Sequence, residues 1–147
     1  MSNETSPTVQ VLRDRTAGMR HIVHVRDHIL PTDIAVADGG GDTGPDPHDL
    51  YDSALGACKA LTVLWYARKK GIPVEDIQVH ITRDGSAERA GTYRLAAELR
   101  VTGDLTDAQR RELLSVADKC PVHKLMTQVT TEITTTLTDP AAAPSAT

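Results

Sequence analysis

The sequence predicts an α+β fold, with mainly antiparallel strands arranged around one long central helix. Three observations carry that expectation. One strong helical pattern, residues 47–70, lies mid-chain between "DP" and "KKG". Strand-like runs stand on both sides of it, and the two that follow it are joined only by a loop. A shorter helical pattern then precedes a last β-branched run, and no internal repeat is visible.

Residues 1–7 are polar and are read as a flexible N-terminus ahead of a domain spanning 8–138. "TVQVLRDR" alternates weakly and reads as a strand. "MRHIVHVRDHIL" reads as a second strand or two short ones, with Pro31 as an interruption. The loop 37–47, "ADGGGDTGPDP", holds Gly, Asp and Pro but no lysine, so it is read as a flexible loop and not a phosphate cradle. Asp46 suits the N-cap of the long helix and Pro47 its first position. Arg68, Lys69 and Lys70 complement the dipole at its end, and Gly71 closes it. Leu50, Ala54, Ala57, Cys58, Leu61, Leu64 and Trp65 follow helical spacing, and Leu55, Val63 and Ala67 widen the apolar surface. A helix apolar on most sides is expected to be buried on most sides, inside a domain or at a subunit interface.

"VEDIQVHITRD" and "GTYRLAAELRVTG" show period-two patterns and read as paired strands. "LTDAQRRELLSVADKC" reads as a helix, with Thr106 and Gln109 as a capping box and Leu113, Leu114, Val116 and Ala117 as the apolar face. Pro121 ends it and starts a short helix through Met126. "QVTTEITTTLT" is Thr-rich and reads as a last strand, followed by a tail, 139–147, read as disordered.

Composition narrows the function. The net charge is −4 and no basic run stands out, which argues against nucleic acid and anionic membranes as partners. No apolar stretch reaches the ~18 residues of a membrane span, and no secretory pattern is present, so a cytoplasmic location is expected. Two cysteines 62 positions apart make neither a CxxC motif nor a disulfide scaffold.

The two sulfurs read differently. Cys120, in "ADKCPVHK", takes the N-cap of a helix beginning at Pro121, beside Lys119, His123 and Lys124. Local electrostatics there favour a thiolate. Cys58 lies mid-helix with Lys59 as its one charged neighbour, and on its own reads as a buried structural cysteine. To act as a nucleophile it needs an outside cation such as an arginine. A rival account gathers His48, His123, Cys58 and Cys120 as four zinc ligands.

Taken together, "GGGDTGPDPHDLYDSALGACKALTVLWYARKKGIPVEDIQV" and "VADKCPVHKL" resemble the osmotically inducible protein C (OsmC-like) family, which includes the organic hydroperoxide resistance proteins. The matching features are a GG…GP-x-P loop, a helix with A-x-G-A-C, and a later A-x-K-C-P-V-H. The resemblance spans roughly residues 20–138. It implies an intertwined homodimer and a thiol peroxidase that needs no metal or flavin. Cys58 would attack a hydroperoxide and become a sulfenic acid, and Cys120 would resolve it as a disulfide. A lipoyl-type or small dithiol would reduce that disulfide. In the peroxidase branches an arginine of the early strands, paired with a glutamate after the second proline, activates the nucleophile. Here His48 stands at the glutamate position, Asp49 one place later, and Arg20, ahead of Arg15, is the candidate arginine. On one continuous helix Asp49 lies ~13 Å from Cys58 along the axis. The missing glutamate leaves a second class of function open: a redox-sensing or binding module without turnover.

Overall fold

The computed structural model describes residues 8–139; the expectations for 1–7 and 140–147 lie outside the described residues. The N-terminal part is a meander of β1 (Gln10–Arg13), β2 (His21–Val25) and β3 (His28–Thr32), antiparallel and in that spatial order. The long run after "TAG" therefore forms two strands, which turn at Arg26 with φ +55°. Contrary to expectation, Pro31 does not interrupt: it lies inside β3 opposite Ile22. β3 is an edge strand, and an edge tolerates a residue with no N–H to give to a further neighbour.

The loop after β3 is not a loose one. The carboxylate of Asp33, a buried residue, accepts from the N–H groups of Ile34 (2.8 Å), Gly41 (3.2 Å) and Thr43 (3.1 Å) and from the Thr43 hydroxyl (2.6 Å). These bonds, the Thr43 hydroxyl first, hold the Asp33 carboxyl at about 2. A Cβ on Gly40 would stand 2.2 Å from the Ile34 carbonyl oxygen, so the glycine is required by close approach. The aspartates and glycines that suggested flexibility instead wrap one buried acid.

Helix α1 (Pro47–Lys70) begins and ends as the sequence predicts. Asp46 caps it, and Asp49 completes a reciprocal capping box. Gly71 closes it at φ +70°. A long antiparallel hairpin follows, β4 (Val74–Asp84) with β5 (Arg94–Gly103). Helix α2 (Asp107–Asp118) starts at the expected Thr106–Gln109 box, and α3 (Pro121–Thr127) follows at once.

The core is Val63, Ala67, Ile72, Leu113 and Ala117, where α1 and α2 pack with the inner face of the hairpin through Ile77, Leu99 and Val101. The buried stripe of α1 is Asp52, Leu55, Lys59, Val63 and Ala67. Here the structure corrects the sequence reading, which buried most sides of the helix. Leu61 and Trp65 are 69% and 60% exposed, and Ala54 and Ala57 are exposed on the same side. The face carrying Leu61 and Trp65 is thus left open, while the polar Asp52 and Lys59 on the covered face find partners in Arg83, Tyr93, Ala117 O and His123. The β1–β3 meander contributes nothing to the core cluster.

The expected last strand is also absent: residues 130–139 join no ladder, and Ile133 and Leu137 are 82% and 98% exposed. β-propensity supplies a compatible chain but not the neighbouring edge that a strand must bond to. No helix among the described residues is long and apolar enough to cross a membrane.

Candidate active site: two cysteines around a buried lysine

The packing of α2 on α1 delivers the start of α3 to the middle of α1. Cys58 is half-buried on α1, and its sulfur accepts the Val122 N–H from the first turn of α3 at 3.4 Å. Thr62 Oγ1, one turn along, lies 3.8 Å from the same sulfur. Cys120 is the N-cap of α3, as the sequence predicts, and is fully buried. The two sulfurs are neighbours, close enough for the Cys58 thiol to perturb the ionisation of Cys120.

The electrostatics differ from the sequence reading. Burial pushes the Cys120 thiol up from its ordinary value, and the Cys58 thiol adds to that; the His123 N–H and the Lys59 charge pull it down but do not win. The N-cap position alone suggests a thiolate. What sequence proximity could not show is that no solvent reaches this sulfur.

Lys59, which the sequence offers only as the charged neighbour of Cys58, is buried. It is 4% exposed. Its ammonium donates to Ala117 O at 2.8 Å, in the last turn of α2, and to His123 Nδ1 at 3.0 Å. An ammonium has no lone pair, so Nδ1 is the acceptor and the His123 ring proton sits on Nε2. A signal was available: Lys59 lies four residues from both Leu55 and Val63, on the face that the core claims.

The other candidates lie elsewhere. Arg20 Nε is 3.5 Å from Asp14 Oδ2, beside the turn between β1 and β2. Asp49 accepts the Asp46 N–H at 3.0 Å and pairs with Arg83, and these two contacts, in that order, hold its carboxyl below the ordinary value. Arg83 Nε also meets Asp52 at 2.8 Å, and Asp52 accepts the Tyr93 hydroxyl at 2.7 Å. Arg83, from the end of β4, therefore occupies the acidic first turns of α1; nothing in the sequence pattern pairs it with them. His48 Nε2 meets Glu88 at 2.6 Å. Among the described residues, none of Arg20, His48 and Asp49 has a hydrogen bond or ion pair to either sulfur. His123 stands with the two cysteines while His48 is engaged by Glu88, and no three potential ligands cluster as a metal site among the described residues.

An apolar cavity of about 450 Å³ is lined by Leu61, Thr62, Trp65 and Pro121; Cys58 is not part of its wall, and Thr62, 3.8 Å from the Cys58 sulfur, stands between them. Two neighbouring thiols with a backbone N–H on one sulfur can interconvert with a disulfide.

Comparison with known proteins places the fold and the family. The family model described as "OsmC-like protein" matches residues 39–136. Among solved structures, an OsmC-like protein from Mycoplasma pneumoniae is similar at TM-score 0.68 and 15% identity, covering 86% of this chain and 91% of that one. An organic hydroperoxide resistance protein from Legionella pneumophila is similar at TM-score 0.61 and 18% identity, covering 86% and 93%. The organic hydroperoxide resistance protein OhrB of Bacillus subtilis is similar at TM-score 0.55 and 22% identity, covering 82% and 89%. At these identities the likeness shows the fold. No curated protein matches. With two thirds of its length matched by the family model and its fold shared with these structures, the chain belongs to the OsmC-like protein family.

Proposed function

We propose that this protein is a cytoplasmic thiol-dependent peroxidase acting on organic or other hydroperoxides. The observation that carries the reading is the meeting of Cys58 and Cys120 at one point, with the Val122 N–H on the Cys58 sulfur. The Cys58 thiolate attacks the distal peroxide oxygen, breaking the O–O bond; the sulfur becomes a sulfenic acid and an alcohol leaves, or water from hydrogen peroxide. The Cys120 sulfur then displaces the hydroxyl from Cys58, giving the disulfide and water. A lipoyl-type or small dithiol restores both thiols and is itself oxidised to a disulfide. The Leu61–Trp65 cavity fits an organic peroxide better than hydrogen peroxide.

The working form is an intertwined homodimer. Support comes from the open apolar stripe Ala54, Ala57, Leu61 and Trp65, from the meander that adds nothing to the core, and from residues 130–139, whose Ile133 and Leu137 alternate with threonines and find no edge. A second copy supplies both a cover and an edge, and could bring Arg20 to the other chain's Cys58.

The test adds cumene hydroperoxide to reduced protein and follows thiols and the Cys58–Cys120 disulfide by mass spectrometry, with a dithiol present for turnover. Cys58→Ser should abolish peroxide consumption, and Cys120→Ser should stop at the sulfenic acid. A Cys58→Ser variant as fast as the parent would rule the mechanism out. One observation favours a second reading, a redox sensor that oxidises once and stalls: His48, Asp49 and Arg20 are each engaged by another partner. Oxidation without dithiol-supported turnover would select it.

A further inference from the structure

We propose that the buried Lys59 ammonium, held between Ala117 O and His123 Nδ1, is the counter-ion of the Cys120 thiolate. In this role Lys59 is a positioning residue that readies Cys120 for disulfide closure; that last step rests on the peroxidase reading, whereas the ion pair does not.

An ammonium taken out of water needs an anion or a full set of acceptors. Among the described residues, Lys59 pairs with no carboxylate; its two acceptors are a carbonyl oxygen and a neutral imidazole nitrogen. The negative end of the α2 dipole, at Ala117, meets part of the need. Groups from three elements face this point. From α1 come Cys58 and Lys59; from α3, Cys120 and His123; from α2, the last carbonyls, with Asp118 turned to solvent. β4 meets α1 through Ile81 against Gly56, and its Arg83 is taken by Asp49 and Asp52. The groups able to become anions beside Lys59 are therefore the two thiols. The Cys120 N–H reaches the same Ala117 carbonyl at 3.4 Å that the Lys59 ammonium reaches at 2.8 Å, which sets the cation beside Cys120, where its charge opposes the effect of burial.

His123, three residues after Cys120 in the first turn of α3, thus holds the cation from one side while Ala117 O holds it from the other. In the closure step Lys59 stays protonated. The proton that leaves Cys120 joins the hydroxyl displaced from the Cys58 sulfenic acid as water, and the two sulfurs share the new bond.

The test reads ionisation rather than activity. Ultraviolet thiolate absorbance is titrated in Cys58→Ala and in Cys58→Ala/Lys59→Met, leaving Cys120 as the one thiol. The inference expects the midpoint to rise by about one pH unit or more when Lys59 is lost. A lysine that merely caps α2 would change stability and leave the midpoint in place, which overturns the inference. Should the double variant fail to fold, the reciprocal measurement decides. Nitrogen NMR of the Lys59 side chain in Cys120→Ala should show its titration lowered relative to the parent, and an unchanged titration overturns the proposal. Peroxide turnover of the parent separates the two readings. A shifted midpoint without turnover keeps the ion pair and removes the peroxidase; turnover with an unshifted midpoint does the reverse.

Discussion

The candidate site depends on α2 being held hard against α1, and Leu113→Ala probes that directly. Leu113 is fully buried in the cluster with Val63, Ala67, Ile72 and Ala117. Truncating a buried leucine to alanine costs roughly 3–5 kcal/mol, the larger values where the surroundings cannot collapse into the cavity. Two of the four cluster neighbours, Ala67 and Ala117, are alanines with no side chain to swing inward, while Val63 and Ile72 can relax, so the middle of that range applies: about 4 kcal/mol. With a urea slope of about 2 kcal/mol/M, the midpoint of unfolding should fall by about 2 M. The assay is equilibrium urea denaturation followed by the single tryptophan, Trp65, and by circular dichroism. Leu114→Ala is the control, since Leu114 is 54% exposed, and its effect should be less than half as large. A Leu113→Ala loss below about 1 kcal/mol would refute the reasoning, because the α1–α2 contact would then not be the close-packed joint that brings Cys120 to Cys58.

The depressed Asp33 carboxyl contributes stability that is complete above the ordinary carboxylate value and lost as pH falls through about 2; amide exchange at Gly41 and Thr43 should accelerate over that window, and at all pH in Asp33→Asn. Gly40→Ala drives a methyl into the Ile34 carbonyl and should cost about 2 kcal/mol or more, read as a lowered melting temperature with the Asp33 loop amides exposed. Burial, and then the bond to Asp52, push the Tyr93 phenol up to about 12, so its contribution is complete below the ordinary phenol value and is lost as pH rises from there through about 12. An ultraviolet phenolate titration should show a component near 12 that Tyr93→Phe removes, together with about 1 kcal/mol of stability.

How much was legible depended on the range of the information required. The boundaries of α1 were readable, because Asp46, Pro47 and Gly71 act on the backbone within a turn of themselves. So were the Thr106–Gln109 box and the break at Pro121. The pairing of β4 with β5 followed from local alternation and a short connection. The burial of α1 was not legible: periodicity marks apolar faces, but which face the chain covers depends on what packs there, and the covered one includes Asp52 and Lys59. Asp33 was missed because its four donors come from residues up to ten positions away. The ionisation of Cys120 was misjudged in sign because an N-cap is a local property and desolvation a global one. The family motifs supplied what local reading could not, the pairing of the two cysteines as a reaction centre, which the function proposed here carries forward.

The meeting of Cys58 and Cys120 across 62 positions of sequence has a thermodynamic side. If the proposed disulfide forms, each catalytic cycle installs and removes a cross-link spanning more than a third of the chain. In the loop-closure model such a bridge restricts the unfolded ensemble by about 4 kcal/mol. Oxidation state and fold stability are then linked, since whatever raises one raises the other. The oxidised chain is the heat-resistant form and the reduced chain the softer one. The melting temperature becomes a gauge of how far the reductant keeps pace with peroxide. A cell short of dithiol would hold this protein in its most durable state at the moment when it is waiting to be recharged.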